Sequence, residues 1–488
     1  MIRTAARRRR VVHLVCWCAF GALAAAMPAT AQIDSATKSL ARDTFQQLIE
    51  INTTDSVGST TVAAEAMAKR LRDAGFPESD VVVMGPNERK GNMVARLHGT
   101  GKHKPVLLIG HLDVVEASRE DWTTDPFKFT EKDGYFYGRG TQDMKESDAI
   151  MVTTLIRMKQ EGFKPDRDII LALTADEEGG KSNGVDWLLK NHRDLVDAEF
   201  VLNPDGGGID TDHGKAVDMT VDASEKLYSD YQLVATNKGG HSSLPVPDNA
   251  IYHLSDALVK LQHYSFPFEL NEVTRAYFKR MSELETGPTG KEMKAILTTP
   301  PDSESVTKLS RDPLYNSTMR TTCVATRLTA GHANNALPQM AQANVNCRIL
   351  PGYSREEIRQ QLVHVVDDPK IAVHYVDDEG GSHDTAPSAK ALPPASLRTD
   401  VMATLHTVVA MMWPGVPIIP SMSTGASDGV WTNAAGMPTY GISGIAIDTD
   451  DVRAHGQDER VPIVSYYKGV DFYYRFMTLL TTSSDKKK

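Results

Sequence analysis

The sequence predicts an α/β catalytic fold, a mixed and largely parallel sheet with helices on both faces, interrupted by an inserted α+β lid or dimerisation domain. Three observations predict it. Strands alternate with helical periodicity from residue 33 to about residue 228. From Tyr228 the pattern changes, and runs such as Tyr231-Gln232-Leu233-Val234-Ala235-Thr236 alternate polar with apolar like half-exposed antiparallel strands. From Leu397 helix and apolar strand return. A chain of 488 residues is too long for one ordinary core, so two compact units are expected. The division read from these changes is a leader at 1–31, the catalytic domain's first part at 32–228, the inserted unit at 229–382 and the catalytic domain's second part at 383–488.

The leader is basic from Met1 to Arg10, apolar from Val11 to Met27 and small-residue at Ala29-Thr30-Ala31, the order of a secretory signal peptide cleaved after Ala31. The competing reading, a membrane anchor, fails because the apolar run is short, contains His13 and gives way at once to polar residues. The mature protein is therefore expected to be periplasmic or secreted and free of the membrane, and the consecutive arginines also suit a twin-arginine route. Cleavage removes Cys16 and Cys18. Cys323 and Cys347 remain, both in strand-like runs; export permits a disulfide between them, with two buried free thiols the favoured reading.

Leu40, Phe45, Leu48 and Ile49 recur at helical spacing, and a second helical run covers Val62 to Leu71. Val81 to Met84, Asn92 to Leu97, Pro105 to Val115, Tyr135 to Tyr137, Ile169 to Ala175 and Phe200 to Leu202 read as strands or strand exits. Helices are expected over Asp143 to Gly162, opened by Asp143, and over Val185 to Asn191. In the inserted unit a helix at Asn249 to Gln262 is followed by a long polar stretch with Gly287-Pro288 and Pro300-Pro301. Strands at Cys323 to Leu328, Ala343 to Ile349 and Ile371 to Val376 and a helix at Arg355 to Val366 then follow, before a proline- and alanine-rich linker from His383 to Pro394.

A formal charge of −10 and the lack of any basic stripe argue against a nucleic-acid partner and toward a small molecule. Metal-capable residues recur just past apolar segments, where an α/β sheet exposes its chemistry. They are His111 with Asp113, Asp143, Glu177 with Glu178, Asp205 and His455. Singly, His111 reads as a structural histidine, Asp143 as a helix cap and Glu177-Glu178 as a solvated turn; together they point to one site. Two histidines, three carboxylates and no cysteine suit zinc, cobalt or manganese and exclude copper or an iron–sulfur cluster. Asp113 is placed to accept the second imidazole N–H of His111. With Glu178 on a metal, its neighbour Glu177 is left to hold a proton as general base.

The ordered set GHLDVV, GRGTQDMK, DEEGG, NPDGG and AHGQDERV resembles the zinc-dependent exopeptidase and aminoacylase family. That family includes bacterial glutamate carboxypeptidase, diaminopimelate desuccinylase, carnosinase-type dipeptidases and secreted N-acyl-amino-acid hydrolases. The resemblance runs from Leu40 to Tyr474 and implies two zinc ions per subunit bridged by Asp143. His111 and Asp205 would complete one, Glu178 and His455 the other, with Glu177 as base and Asp113 supporting His111. It further implies a homodimer in which His241 crosses to the partner's site and stabilises an oxyanion. Asn335 and Arg348 would hold substrate, and Thr424, Gly425, Ser427 and Asp428 would line its carboxylate end; for Arg348 a surface salt bridge is the competing reading. Aspartate at 205, where glutamate carboxypeptidases and deacylases carry glutamate, shifts the expectation toward peptides. The final motif, His455-Gly456-Gln457-Asp458-Glu459, departs from the family's usual spacing and leaves local packing open. The function expected is an exported dizinc hydrolase cleaving amide bonds of short peptides, as a carboxypeptidase or dipeptidase, through a metal-activated water. The alternatives are an N-acyl-amino-acid amidohydrolase, an esterase using the same machinery, and a catalytically silent periplasmic binding protein on the same scaffold.

Overall fold

The computed structural model describes residues 33–377, 379–390 and 397–482; the leader, the end of the linker and the Lys486-Lys487-Lys488 tail lie outside them. Its centre is the strand Val106–His111, six residues that are all buried. Ile169–Thr174 lies parallel on one side, with His111 opposite Thr174, and Phe200–Leu202 lies parallel on the other. Both neighbours are also buried throughout, as strands covered on two faces must be. Val81–Met84 and Asn92–Leu97 extend the sheet antiparallel at one edge, and Thr439–Tyr440 closes the other edge in parallel with Phe200–Leu202. The chain's last third therefore returns to the sheet built by its first, which confirms the mixed, largely parallel fold.

Helices cover this sheet. Ser35–Glu50 starts where the Asp34 carboxylate accepts the Thr37 N–H at 2.8 Å, and its Phe45 stacks on Tyr466 of the long C-terminal helix Ile463–Leu480. The helix expected from Asp143 begins instead at Lys145, with Met144 as its cap residue, so the Asp143 side chain is free of any capping duty. A four-stranded sheet missing from the sequence reading joins the hairpin Gly208–Asp212/Lys215–Glu225 to Ile418–Ser423 and Ala446–Asp448.

The inserted unit has a five-stranded antiparallel sheet of Thr322–Ala330, Met340–Ile349, Leu227–Thr236, Ile371–Val376 and Ser382–His383, in that order. Its central strand starts at Leu227, two residues after Glu225 ends the catalytic hairpin, so the junction is a single residue, Lys226. The polar stretch before Thr322 is four short helices, Glu272–Leu284, Pro288–Ala295, Ser303–Leu309 and Pro313–Thr318, around Phe278, Met293, Ile296, Leu309 and Met319. The free-thiol reading is also corrected. Cys323 and Cys347 stand directly opposite in the ladder, 4.1 Å apart at Cα, and form a disulfide. Among the described residues no helix is long and apolar enough to cross a membrane.

Candidate metal centre

His111 closes the central strand, buried, with Nε2 3.0 Å from Asp143 Oδ1 and 3.9 Å from Asp205 Oδ1. Its Nδ1 lies 3.0 Å from the backbone oxygen of Asp113. A carbonyl only accepts, so Nδ1 carries the proton and Nε2 is left as the nitrogen with a lone pair to offer a cation. Asp143 Oδ2, its other oxygen, is 3.0 Å from His455 Nε2, and that nitrogen is 2.9 Å from Glu178. One carboxylate thus faces two imidazoles that are 344 positions apart in sequence (455 − 111). The cluster falls into two halves: His111 and Asp205 on one side of Asp143, Glu178 and His455 on the other.

The expected role of Asp113 is corrected. Its carboxylate is 3.8 Å from His111 Nδ1, and it accepts the backbone N–H groups of Glu177 (3.2 Å) and Glu178 (3.0 Å) instead. His111 is oriented by the Asp113 backbone, and the Asp113 side chain holds the loop carrying the two glutamates. Asp176, in left-handed conformation at φ 58°, anchors that loop from the other side. It forms a buried ion pair with Lys90, which also reaches Asp55 at 2.6 Å, and it accepts the Ser182 N–H.

The loop before Asp143 is held by Glu459. One of its oxygens accepts Arg139 Nη1 (2.7 Å) and the Gly140 N–H (3.1 Å); the other accepts the N–H groups of Gln142 (2.6 Å) and Asp143 (3.2 Å). Gln142 completes the frame. Its side-chain oxygen accepts the N–H groups of Arg453 and Ala454, while its amide donates to the Asp451 and Arg460 carbonyls. His455 therefore reaches the centre on a loop stapled to the Asp143 loop. The unusual final motif packs well: Asp458 caps Thr123, and Glu459 is the buried partner of Arg139.

The electrostatics call for a cation. Burial opposes it, but hydrogen bonds from His111 and His455 hold the Asp143 carboxyl well below the usual carboxylate range. Burial pushes Glu178 up to about 7, with repulsion from Asp143 adding to it, and pushes Asp205 up to about 7. Glu177 rises to about 10 through burial and then the nearby Asp205 and Asp428. Hydrogen bonding to Asp143 raises His455 to about 9. Crowded buried carboxylates of this kind hold more negative charge than two imidazoles neutralise, and a bound cation relieves it. Ligand atoms of His111, Asp143 and Glu178 lie within 4.8 Å of one another, and an oxygen–nitrogen donor set without thiolate suits zinc. The residues fit the metal.

The lid residues are placed differently. His241, on the short strand Gly240–His241, is exposed, and its Nδ1 accepts from Ser243; among the described residues it touches none of the cluster. Asn335 is exposed beside it, its carbonyl accepting the Ser242 N–H. Arg348 lies with its guanidinium 4.8 Å over the Tyr228 ring, and no ion pair holds it among the described residues. Gly425 donates its N–H to Ser423 Oγ, while Thr424 sits half-buried in the same loop. Lys90, Gln142, Arg139 and Glu459 were missed in the sequence reading, although Arg139, Gln142 and Glu459 stand inside the quoted motifs.

An α/β unit that converges carboxylates and imidazoles beneath an α+β lid defines a metal-dependent hydrolase. The model of the peptidase family M20/M25/M40 matches residues 107–479, and the chain belongs to that family. It is 29% identical over 388 residues to Probable carboxypeptidase S-like 2 of Dictyostelium discoideum, covering 77% of this chain and 71% of that one. It is 28% identical over 392 residues to the human N-fatty-acyl-amino acid synthase/hydrolase PM20D1, covering 78% and 75%. The fold matches the M20 family metallo-carboxypeptidase Sso-CP2 from Sulfolobus solfataricus with a TM-score of 0.66 at 17% identity, covering 90% of this chain and 99% of that one.

Proposed function

We propose that the protein is an exported dizinc hydrolase that cleaves the amide bond of short peptides, as a carboxypeptidase or dipeptidase, and works as a homodimer. The observation that carries this reading is Asp143, whose two oxygens each lie 3.0 Å from a different histidine. His111, Asp143 and Asp205 would hold one ion, and Asp143, Glu178 and His455 the other. When bound, the ions supply an acidified water and Lewis-acid polarisation of the scissile carbonyl. Glu177 would be the proton carrier of the reaction, the general base for the attacking water and then the acid for the leaving amine. Its aim is set by the Asp113 carboxylate and the Lys90–Asp176 pair that hold its loop.

His241 touches none of the cluster within its own chain, which supports a second copy as the one it serves. The edge strand Thr322–Ala330, with Val324 and Leu328 both 61% exposed, and the helix Ala250–His263, with Tyr252 and Val259 exposed, offer that copy a surface. A second reading, an N-acyl-amino-acid amidohydrolase, is supported by the similarity to the N-fatty-acyl-amino acid synthase/hydrolase. Both readings use the same centre. Glu177→Gln should keep the metal content of the wild type while turnover falls by roughly 10³-fold or more. Equal turnover in that variant, or hydrolysis unaffected by thorough chelation, would overturn the proposal, and a protein that binds peptides without hydrolysing them would establish the silent scaffold instead.

A further inference from the structure

Two cavities flank the loop Ser423–Asp428. One, of about 150 Å³, is walled by the half-buried carboxylates Asp205, Asp222 and Glu225 and the buried Ser224. The other, of about 330 Å³, opens beside Glu177. Its apolar wall comes from two directions: Val430, Trp431 and Ala434 on the short helix Gly429–Ala434, and Leu227 and Tyr228 where the lid sheet begins. Trp431 is only half-buried, so its ring has surface left to cover.

The remaining wall of the larger cavity is polar, and nearly every group on it is already engaged. Asp176 is paired with Lys90. Asp428 accepts from Asn183 Nδ2 at 2.6 Å and from Thr174. Ser427 donates to Glu225. Glu177 is the base. The exception is Arg355, half-buried at the first position of the helix Arg355–Val366. Among the described residues its guanidinium makes no ion pair or hydrogen bond; only its backbone oxygen is used, by Tyr231. The adjacent Glu356 is taken by Arg359. The helix end itself is already capped by Ser354 and Glu357, so the charge left without a partner there is the Arg355 guanidinium, which an anion would pair.

Resting on the hydrolase reading above, we propose that this larger cavity receives the released amino acid, with a large apolar side chain against Trp431, Val430 and Leu227 and its free carboxylate on Arg355. Both cavities carry three acids, but no cation lines the smaller one, whereas Arg355 lines the larger and gives a carboxylate its partner. The enzyme then reads the carboxylate end of its substrate, whether a peptide or an N-acyl amino acid, and releases an apolar residue. Arg348, packed over Tyr228 and absent from the cavity lining, supports the wall without taking the carboxylate.

The test uses full-length mature zinc-loaded enzyme and four probes: N-acetyl-phenylalanine, its C-terminal amide, N-acetyl-glycine and Ala-Phe. The wild type should favour the phenylalanine acid over both the amide and the glycine probe. Arg355→Gln should raise KM for the two phenylalanine acids roughly 30-fold and leave the amide unchanged, with Arg355→Lys partly restoring it. Trp431→Ala should cut kcat/KM for phenylalanine probes about tenfold or more and spare N-acetyl-glycine. Circular dichroism and metal content matching the wild type show that each variant is folded; Trp431→Leu replaces Trp431→Ala should the latter not fold. The proposal is overturned if Arg355→Gln affects acid and amide alike, if Arg348→Gln alone gives the acid-specific loss, or if glycine and phenylalanine probes respond equally to Trp431→Ala. Chelator-sensitive hydrolysis with Arg355 silent refutes this cavity assignment alone, whereas no hydrolysis of any probe by the wild type refutes the hydrolase reading with it.

Discussion

Glu459→Gln changes one atom of a residue outside the metal cluster, whose side chain meets Asp143 only at the backbone N–H, yet it should unseat the loop carrying Asp143. The carboxylate is fully buried and takes four donors, two on each oxygen. A glutamine has the same shape but must turn its NH₂ toward one of those pairs, so two acceptor bonds become donor–donor contacts. Each bond to a charged acceptor is worth about 1.5–3 kcal/mol, giving about 3–6 kcal/mol. The independent figure for breaking a buried ion pair on one side is about 3–5 kcal/mol, since Arg139 is left charged and uncompensated. The two agree, and a loss of about 3–5 kcal/mol is expected. It should be measured by urea unfolding in excess chelator, so that metal linkage does not enter the comparison. A double-mutant cycle with Arg139→Met should recover most of the loss as coupling energy. A loss under about 1 kcal/mol, or additive effects of the two substitutions, would refute the view that this ion pair frames the centre.

Two further substitutions test other parts of the frame. Gln142→Ala removes the staple between the Asp143 loop and Arg453-Ala454, so zinc affinity of the half holding His455 should fall roughly 10–100-fold in a chelator competition while the other half changes little; an equal loss in both halves would contradict it. Lys226, at the junction of the two units, donates to the Arg320 carbonyl at 2.7 Å, and burial followed by the nearby Arg348 and Arg320 pushes its ammonium down to about 7 from 10.5. The unfolded chain keeps this proton between those values while the folded chain has released it, so this residue makes the protein more stable as pH rises through that window. Lys226→Met lacks the slope, and the stability difference between wild type and variant should move by on the order of 2 kcal/mol in favour of the wild type from pH 7 to pH 9 in urea unfolding; a pH-independent difference would contradict it.

What could be read from the sequence was whatever sits at the end of an apolar strand. His111 is the last residue of a fully buried strand and Glu178 and Asp205 each follow one, and the shift from buried runs to alternating ones falls within a few residues of Leu227. The partners that hold them were not legible, because their meaning is three-dimensional. Lys90 is a lone lysine between strands until Asp176 arrives from 86 positions away. Spacing suggested that Asp113 serves His111, and it does, but through its carbonyl; an extended chain does not reveal which of two acceptors turns toward the ring. The disulfide depends on ladder register, which two cysteines 24 positions apart do not specify. The four short lid helices were hidden by a polar composition, since none buries more than two large residues, yet the caps of three were visible: Asn271, Asp302 and Asp312 each accept a backbone N–H two or three positions on.

The central claim is that Asp143 stands between two bound metal ions. Anomalous diffraction at the zinc edge, on crystals of the mature protein grown with zinc, tests it most directly. Two peaks per protomer should flank the Asp143 carboxylate, one beside His111 and Asp205 and the other beside Glu178 and His455. A single peak, or a second ion that does not touch Asp143, would contradict the account.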